Sequence, residues 1–249
     1  MNRRSDTPPT SLLPELTRRS LLTGASGAAL SPAILKATPR GSRDHIAVVG
    51  AGVFGAWTAQ HLLHLGHRVT LIEAHGPAHS RASSGGESRM TRAAYGKDAI
   101  YARMAHDSLG QWKQLSAWSG LPIFHPTGVL FFASGNEPYI VDSIAVGQKL
   151  GLRTRSMNRA QMSRRFPMID FEGVDIGVYE PGFGALMARR SVATLVDRLV
   201  RAGGTYRHAA VAPPDPTKPM RSLTLSNGEK LPADRFVFAG GPWLGKLFP

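Results

Sequence analysis

The stretch that decides the fold is HIAVVGAGVFGAWTAQHLLHLGHRVTLIEA, residues His45 to Ala74. Ile46 to Val49 is a short β-branched run that predicts a strand, and apolar residues at helical spacing from Trp57 to Leu65 predict a helix. Gly66 ends that helix, and Val69 to Ile72 predicts a second strand. This order of elements is typical of the first βαβ unit of a parallel, doubly wound sheet.

The turn between the first strand and the helix has the spacing G-x-G-x-x-G, supplied by Gly50, Gly52 and Gly55. Gly50 permits the tight turn, Gly52 has no Cβ to block a pyrophosphate, and Gly55 lets helix and strand pack closely. The helix N-terminus then faces the phosphates with free N–H groups. Glu73, at the end of the second strand, can accept hydrogen bonds from a ribose diol. The pattern predicts dinucleotide binding and leaves NAD and FAD both open.

A pair of cations follows in SGGESRMTRAAYG, residues Ser84 to Gly96, where Arg89 and Arg92 stand behind two glycines. A guanidinium is always charged and binds a carboxylate through two parallel N–H bonds, so the pair indicates an anion site. The alternative is that both arginines form surface ion pairs, with Glu87 or Asp98.

The loop after the second strand contains no third strand at the interval expected of a nicotinamide-binding unit, and it leads into S-R-x-x-R-x-x-Y-G. With the glycine motif and its acid, this combination resembles the D-amino-acid oxidase superfamily of flavoproteins. Within it, the chain is most similar to the sarcosine oxidase and N-methyltryptophan oxidase group. Thr127 to Leu130, Val178 to Gly184, the helical stretch Arg190 to Arg201 and Asp234 to Trp243 resemble later segments of that family in the same order.

The resemblance implies FAD as cofactor and a small amine or N-methyl amino acid as substrate. It also implies that a hydride equivalent passes from the substrate to the flavin and that O₂ reoxidises the flavin. By resemblance, Arg89 sits over the flavin ring and Arg92 pairs with the substrate carboxylate, which makes them the catalytic candidates. Ser84 and Gly85 stand where sarcosine oxidase has two histidines, so the substrate is left open. The residues expected to border FAD are Gly50, Gly52, Val53, Phe54, Gly55, Glu73, Ala74, Ser83, Ser84, Ser88, Arg89, Val211, Gly240, Gly241 and Trp243, with Val211 at the end of a strand.

The implied fold class is α/β, a Rossmann-like FAD-binding domain with an inserted α+β substrate domain and without the C-terminal part of the family fold. The expected boundaries are 1–43 for a twin-arginine-type signal and linker, 44–96 for the first part of the FAD-binding domain, 97–185 for a substrate-domain portion and 186–249 for the second part of the FAD-binding domain. Members of the family run on well past residue 249. The alternative function is therefore that of a truncated, non-catalytic dinucleotide-binding fragment.

Residue spacing also predicts individual elements beyond the first unit. Helices are expected over Ala99 to Trp118 and Glu137 to Leu150, a strand over Gly128 to Ala133, and a short element over Arg159 to Phe166. Asn227-Gly228 predicts a hairpin turn.

The first residues resemble a twin-arginine export signal. Thr17 to Leu22 has the sequence TRRSLL, a weakly apolar Gly/Ala-rich run follows, and Ser31 to Ala33 offers a small-residue cleavage site. The alternative is an amphipathic helix, or a start codon that has been assigned too far upstream. The resemblance implies a partner in the twin-arginine export machinery, transport of a folded protein with its cofactor, and a periplasmic or secreted location.

The net charge of +13 is spread along the chain in short clusters such as Arg153/Arg155 and Arg164/Arg165. There is no basic stripe interleaved with aromatics, so we expect no nucleic-acid partner. The chain has no cysteine, which excludes disulfides and thiolate metal sites within it. Several histidines crowd the second strand, at 61, 64, 67, 75 and 79, but no carboxylate set converges with them. We therefore expect no metal site. The apolar segments are too short and too interrupted to span a membrane, so we also expect no membrane-spanning helix.

Overall fold

A parallel sheet carries the glycine-rich segment in the computed structural model, which describes residues 43–215 and 217–248. In chain order the strands are β1 (His45–Val49), β2 (Arg68–Glu73), β3 (Arg89–Thr91), β4 (Phe124–His125), β5 (Val129–Ala133), β6 (Arg155–Asn158), β7 (Ile176–Glu180), β8 (Gly184–Leu186), β9 (Thr205–His208), β10 (Ser222–Thr224), β11 (Lys230–Pro232) and β12 (Arg235–Phe238). The helices are α1 (Val53–His64), α2 (Ala99–Ser119), α3 (Pro138–Lys149), α4 (Arg159–Arg165), α5 (Ala188–Arg201) and α6 (Leu244–Leu247), with a 3-10 helix at Gly241–Trp243. None of the described helices is long and apolar enough to cross a bilayer. The predicted export signal, apart from Arg43, lies outside the described residues.

The parallel sheet has the strand order β12-β1-β2-β9. Ile46 and Val48 of β1 pack into a cluster with residues of α1 and α5. Ala47 and Val49 face the other way and pack against the β10-β11 hairpin, including Leu223. Because both faces of the sheet are covered, β1 is a continuous apolar run rather than an alternating one.

The chain leaves β1 in one direction and later returns on its other side. It passes through α1 to β2, and β12 then pairs with the opposite edge of β1, both in parallel. At such a reversal of strand order, the crevice beyond the carboxyl ends of the strands is where open α/β sheets bind ligands. The glycine turn that follows β1 lies at this point.

The segment between the two halves of the parallel sheet forms two antiparallel sheets, ordered β3-β8-β4 and β5-β7-β6. On one side of β7, Val178 packs with Ile140 of α3. On the other side, Tyr179 packs with Met157 and Met162, so α4 covers that face. The helices, strand and short element predicted in this segment coincide with α2, α3, β5 and α4 to within two residues.

The hairpin prediction at Asn227-Gly228 is confirmed, since Leu223 of β10 pairs with Leu231 of β11. The prediction that Val211 ends a strand is wrong, because β9 stops at His208. Glu73, the last residue of β2, pairs with His208, so no neighbour remains for a longer β9. The chain turns towards the hairpin instead, where Val211 forms a single bridge with Leu225.

Candidate functional site

A cleft of about 340 Å³ lies beyond the carboxyl ends of the parallel strands. Val49 and Gly50 at the end of β1, Ala74 after β2, Ala209 after β9 and Ala239 after β12 all line it. Residues at the ends of four separate strands therefore line one cleft, because the strands are parallel and their carboxyl ends lie at the same edge of the sheet.

The three glycines of the turn have different surroundings. Gly50 has φ +104°, and a Cβ there would lie 2.5 Å from the carbonyl oxygen of Ala239. A Cβ on Gly55 would lie 1.8 Å from the carbonyl oxygen of Gly50. A Cβ on Gly52 would meet only Ser84 Oγ, at 3.9 Å. Gly50 and Gly55 are thus required by the fold, whereas the space beside Gly52 is open to the cleft.

Helix α1 begins at this open space, with Gly52 as its N-cap and no side-chain cap. The first N–H groups of a helix have no acceptor within it and carry the positive end of the helix dipole. Val53 N–H is 3.4 Å from Ser84 Oγ, which is a long hydrogen bond. The cleft therefore offers N–H donors to an anion beside a residue that has no side chain.

Glu73 is buried at the end of β2 and its carboxylate faces the glycine turn. Its Oε2 accepts the N–H of Ala51 at 2.8 Å, and its Oε1 accepts the N–H of His75 at 3.0 Å. His79 Nε2 lies 3.3 Å from Oε1. A carboxylate has about four acceptor positions, so one remains for a ligand hydroxyl.

Another wall of the cleft comes from the residues that follow β12. Gly240, Gly241 and Trp243 line it, and Lys246 Nζ lies 4.7 Å from the centroid of the Trp243 ring. The Trp243 indole N–H is 3.4 Å from the carbonyl oxygen of Arg81, which connects this wall to the loop after β2.

Most residues predicted to border a dinucleotide come together in this cleft. Those that line it are Gly50, Gly52, Val53, Glu73, Ala74, Ser83, Ser84, Val211, Gly240, Gly241 and Trp243. Phe54, Gly55, Ser88 and Arg89 do not line it. Phe54 points to solvent with 82% of its surface exposed, while Gly55 lies beneath the turn.

Arg89 lies on β3 and holds the loop that borders the cleft. Its Nη2 donates to the carbonyl of Ser83 at 2.6 Å and its Nη1 to that of Ser88 at 3.0 Å. Glu87, the acid offered as its alternative partner, pairs instead with Arg189 at 2.6 Å. Arg89 thus fixes Ser83, which lines the cleft, without lining it itself.

Arg92 lies between aromatic rings. Its guanidinium carbon is 4.7 Å from the ring centroid of Tyr95 and 5.5 Å from that of Phe131. Its Nε is buried without a hydrogen-bond partner among the described residues. No ion pair with Asp98 forms, so the surface-pair alternative is wrong for both arginines within the described chain.

Glu180, the last residue of β7, is a buried acid that contacts the backbone next to Arg92. Its two carboxylate oxygens lie 3.1 and 3.2 Å from the N–H of Ala93, the residue after Arg92. Burial raises the pKa of the Glu180 carboxyl, and the Ala93 and Ala94 N–H groups and the charge of Arg92 oppose that rise. Glu180 therefore anchors the backbone that carries Arg92.

Three polar cleft residues escaped the sequence prediction: His75, His79 and Lys246. The two histidines stand two and six residues after Glu73, the acid that ends β2, so their position along the chain was a usable signal. Lys246 had no such signal, because α6 and the 3-10 helix before it bring it to the wall through local backbone geometry.

Comparison with protein families gives one match over most of the chain. A model described as DAO, FAD dependent oxidoreductase, matches residues 45–249. Human peroxisomal sarcosine oxidase is 29% identical over 201 residues, which cover 80% of this chain and 51% of that protein. N-methyl-L-tryptophan oxidase of Yersinia pestis (strain Pestoides F) is 26% identical over 203 residues, or 81% and 54% of the two chains. The chain spans about half the length of the curated relatives it matches.

Solved structures show the same fold. L-proline dehydrogenase from P. horikoshii superposes with a TM-score of 0.70 at 20% identity, covering 82% of this chain and 54% of that one. Glycine oxidase from Bacillus cereus gives a TM-score of 0.66 at 20% identity, with 82% and 56% covered. NikD, an amino acid oxidase of nikkomycin biosynthesis, gives 0.62 at 26% identity, with 80% and 52% covered.

Proposed function

The chain belongs to the DAO family of FAD-dependent oxidoreductases, and from that premise we propose that it binds FAD in the cleft and serves the oxidation of a small amine that bears a carboxylate. One observation carries the proposal. The ends of four parallel strands, the open side of Gly52 and the carboxylate of Glu73 meet at a single cleft. That combination suits the pyrophosphate and ribose of a dinucleotide.

The residues present fit the ADP portion of FAD. Gly52 and the N-terminus of α1 would hold the pyrophosphate, because a backbone without Cβ and a set of N–H donors meet there. Glu73 would accept a ribose hydroxyl at its remaining acceptor position. Val211 and Trp243 add apolar surface to the lining of the cleft.

Arg92 is assigned to the substrate carboxylate. Its guanidinium is stacked on Tyr95 and Phe131 and has no carboxylate partner at salt-bridge distance in the described chain. A cation held in this way keeps its planar donors ready for a bidentate ligand. Arg89 is assigned to the flavin side, where its bonds to Ser83 and Ser88 hold the loop in place. When bound, FAD supplies the two-electron acceptor that takes a hydride equivalent from the substrate and passes its electrons to O₂.

The substrate class is proposed from the relatives together with Arg92. The matched proteins are named for sarcosine and N-methyl-L-tryptophan, both of which are N-methylated amino acids with a free carboxylate. Purified protein that carries flavin is to be mixed with each compound without oxygen. We expect the visible flavin bands to bleach with at least one of them and to return when air is admitted.

A second function, dinucleotide binding without turnover, is favoured by one observation. The cleft is lined by residues of this chain, whereas neither Arg89 nor Arg92 lines it. The same experiment separates the two functions. Flavin that stays bound but is bleached by neither compound supports binding alone, and a protein that retains no flavin contradicts both.

Export by the twin-arginine route is proposed from Thr17 to Leu22. The test is fractionation of cells that make the wild type or an Arg18→Lys, Arg19→Lys variant. We expect wild-type protein outside the cytoplasm and the variant inside. Equal distribution of the two would contradict export by this route.

A further inference from the structure

We propose that a second cleft, beside α4, binds a small multivalent oxyanion with two or more carboxylate or phosphate groups. The cleft has a volume of about 370 Å³ and shares no lining residue with the dinucleotide cleft. Arg155, Arg164 and Arg165 line it, together with the polar side chains of Ser156, Gln161 and Tyr179. The three cations belong to the paired arginine clusters of the sequence for which the oxidase function has no use.

The local fold brings these arginines together. Strand β6 runs directly into α4 at Asn158, whose side chain accepts the N–H of Gln161 at 3.0 Å while Gln161 Oε1 accepts the N–H of Asn158 at 2.9 Å. This capping box fixes the reversal from strand to helix. Met162 then packs α4 onto the face of the sheet. The end of the helix, with its two arginines, consequently returns to the same cleft as Arg155.

Tyr179 holds one of the arginines, Arg165, in place. It is buried, and its hydroxyl accepts a hydrogen bond from Arg165 Nη2 at 2.7 Å. The guanidinium carbon of Arg165 lies 4.4 Å from the centroid of the same ring. In the register of β6 and β7, Arg155 is the direct partner of Tyr179. One guanidinium is thus already held in place, which lowers the entropic cost of binding a ligand.

No carboxylate of the described chain neutralises the positive charge of the cleft. No acidic residue lines it. Arg159, in the first turn of the same helix, pairs with Asp175 at 3.2 Å, whereas none of the three lining arginines forms an ion pair with a described carboxylate. The Gln161 oxygen is used by the capping box, so its NH₂ group adds a donor. A donor-rich, acceptor-poor cleft with three like charges favours an anion that carries more than one negative charge.

Isothermal titration of the full chain at low ionic strength tests the site, with pyrophosphate, citrate and acetate as probes. We expect pyrophosphate or citrate to bind and acetate to bind at least about tenfold more weakly, because it reaches only one arginine. The Arg155→Gln, Arg164→Gln double variant should lose about tenfold or more in affinity for the bound probe. The Arg103→Gln, Arg201→Gln double variant removes the same charge elsewhere and should lose less than about twofold. Arg155 and Arg164 are both exposed, so we expect the double variant to fold. If it misfolds, the Arg164→Gln single variant replaces it, and we expect that variant to lose an intermediate amount of affinity.

A Gly52→Val variant separates the two clefts, because pyrophosphate would also suit the glycine turn. Retained binding in Gly52→Val places the probe at α4. Tighter binding of pyrophosphate assigns phosphate ligands to the site, and tighter binding of citrate assigns carboxylates. The proposal is overturned if neither probe binds, if acetate binds equally well, if both double variants lose equally, or if Gly52→Val abolishes the binding.

Discussion

The carboxylate of Glu73 accepts the backbone N–H of Ala51 at 2.8 Å, so the acid that ends β2 holds the turn that follows β1. Sequence patterns assign this acid to the ribose of a dinucleotide. In the structure it also supplies the acceptor for an N–H group of a residue that is 0% exposed. Glu73 therefore shapes the cleft in addition to lining it.

Replacing Glu73 with Ala should weaken both folding and ligand binding. The Ala51 N–H would lose its acceptor, which costs about 1–3 kcal/mol of unfolding free energy. The loss of an acceptor for a ribose hydroxyl should lower ADP affinity by roughly tenfold. Urea unfolding and titration with ADP measure the two effects, with the exposed Glu172→Ala as control. Unchanged stability would show that the Ala51 bond is dispensable.

Substitutions at Gly52 and Gly55 should separate binding from folding. A Cβ at Gly52 meets nothing closer than 3.9 Å, so Gly52→Val should cost only about 1 kcal/mol of stability, the loss of a favourable N-cap residue, while blocking the dinucleotide. A Cβ at Gly55 would overlap the carbonyl oxygen of Gly50 at 1.8 Å, so Gly55→Ala should cost about 3 kcal/mol or more. Thermal unfolding and flavin content report the two outcomes. A Gly52→Val protein that unfolds as easily as Gly55→Ala would contradict the assignment of Gly52 to the ligand.

Arg92→Ala should weaken carboxylate ligands much more than flavin. The loss of hydrogen bonds to a charged ligand group is worth about 2 kcal/mol, or roughly thirtyfold in affinity. The measurement is the perturbation of the flavin spectrum by a carboxylate inhibitor, with Arg103→Ala, an exposed arginine of α2, as control. Equal loss of flavin and of carboxylate affinity would mean that Arg92 serves the structure.

Glu180 should make stability fall with rising pH. Burial raises its pKa above the ordinary value of 4.5. The folded protein therefore keeps a proton that the unfolded chain has already released. The contribution of Glu180 is fully present below about pH 4.5 and is lost as the pH rises through its raised pKa. Since Glu180→Gln does not titrate, the stability of the wild type minus that of the variant should fall across this window. Urea unfolding at several pH values measures it, and a constant difference would contradict the burial effect.

Sequence patterns predicted the parallel unit and most of the cleft because its parts are local. Strand, glycine turn, helix and terminal acid follow one another within 30 residues, from His45 to Ala74. The hairpin was predictable for the same reason, since Asn227-Gly228 favours a tight turn by itself. The gathering of Ser84, Val211 and Trp243 at one site rested on family resemblance rather than on spacing.

Several features that the patterns missed depend on distant contacts. Val211 did not end a strand because β2 stops at Glu73, and that limit is set by a partner far away in the chain. The anchoring of Ala93 by Glu180 joins residues 87 positions apart. The stacking of Arg92 on Phe131 likewise depends on how β5 packs. A single sequence gives no periodic signal for such pairs.

The central claim is that this chain holds FAD in the cleft beside Gly52. The most direct test is the visible absorbance of wild-type and Gly52→Val proteins, purified identically and reconstituted with FAD. We predict flavin bands that stay with the wild type through gel filtration and are absent from a folded Gly52→Val protein. Equal flavin content in the two proteins, or a wild type that retains none, would contradict the claim.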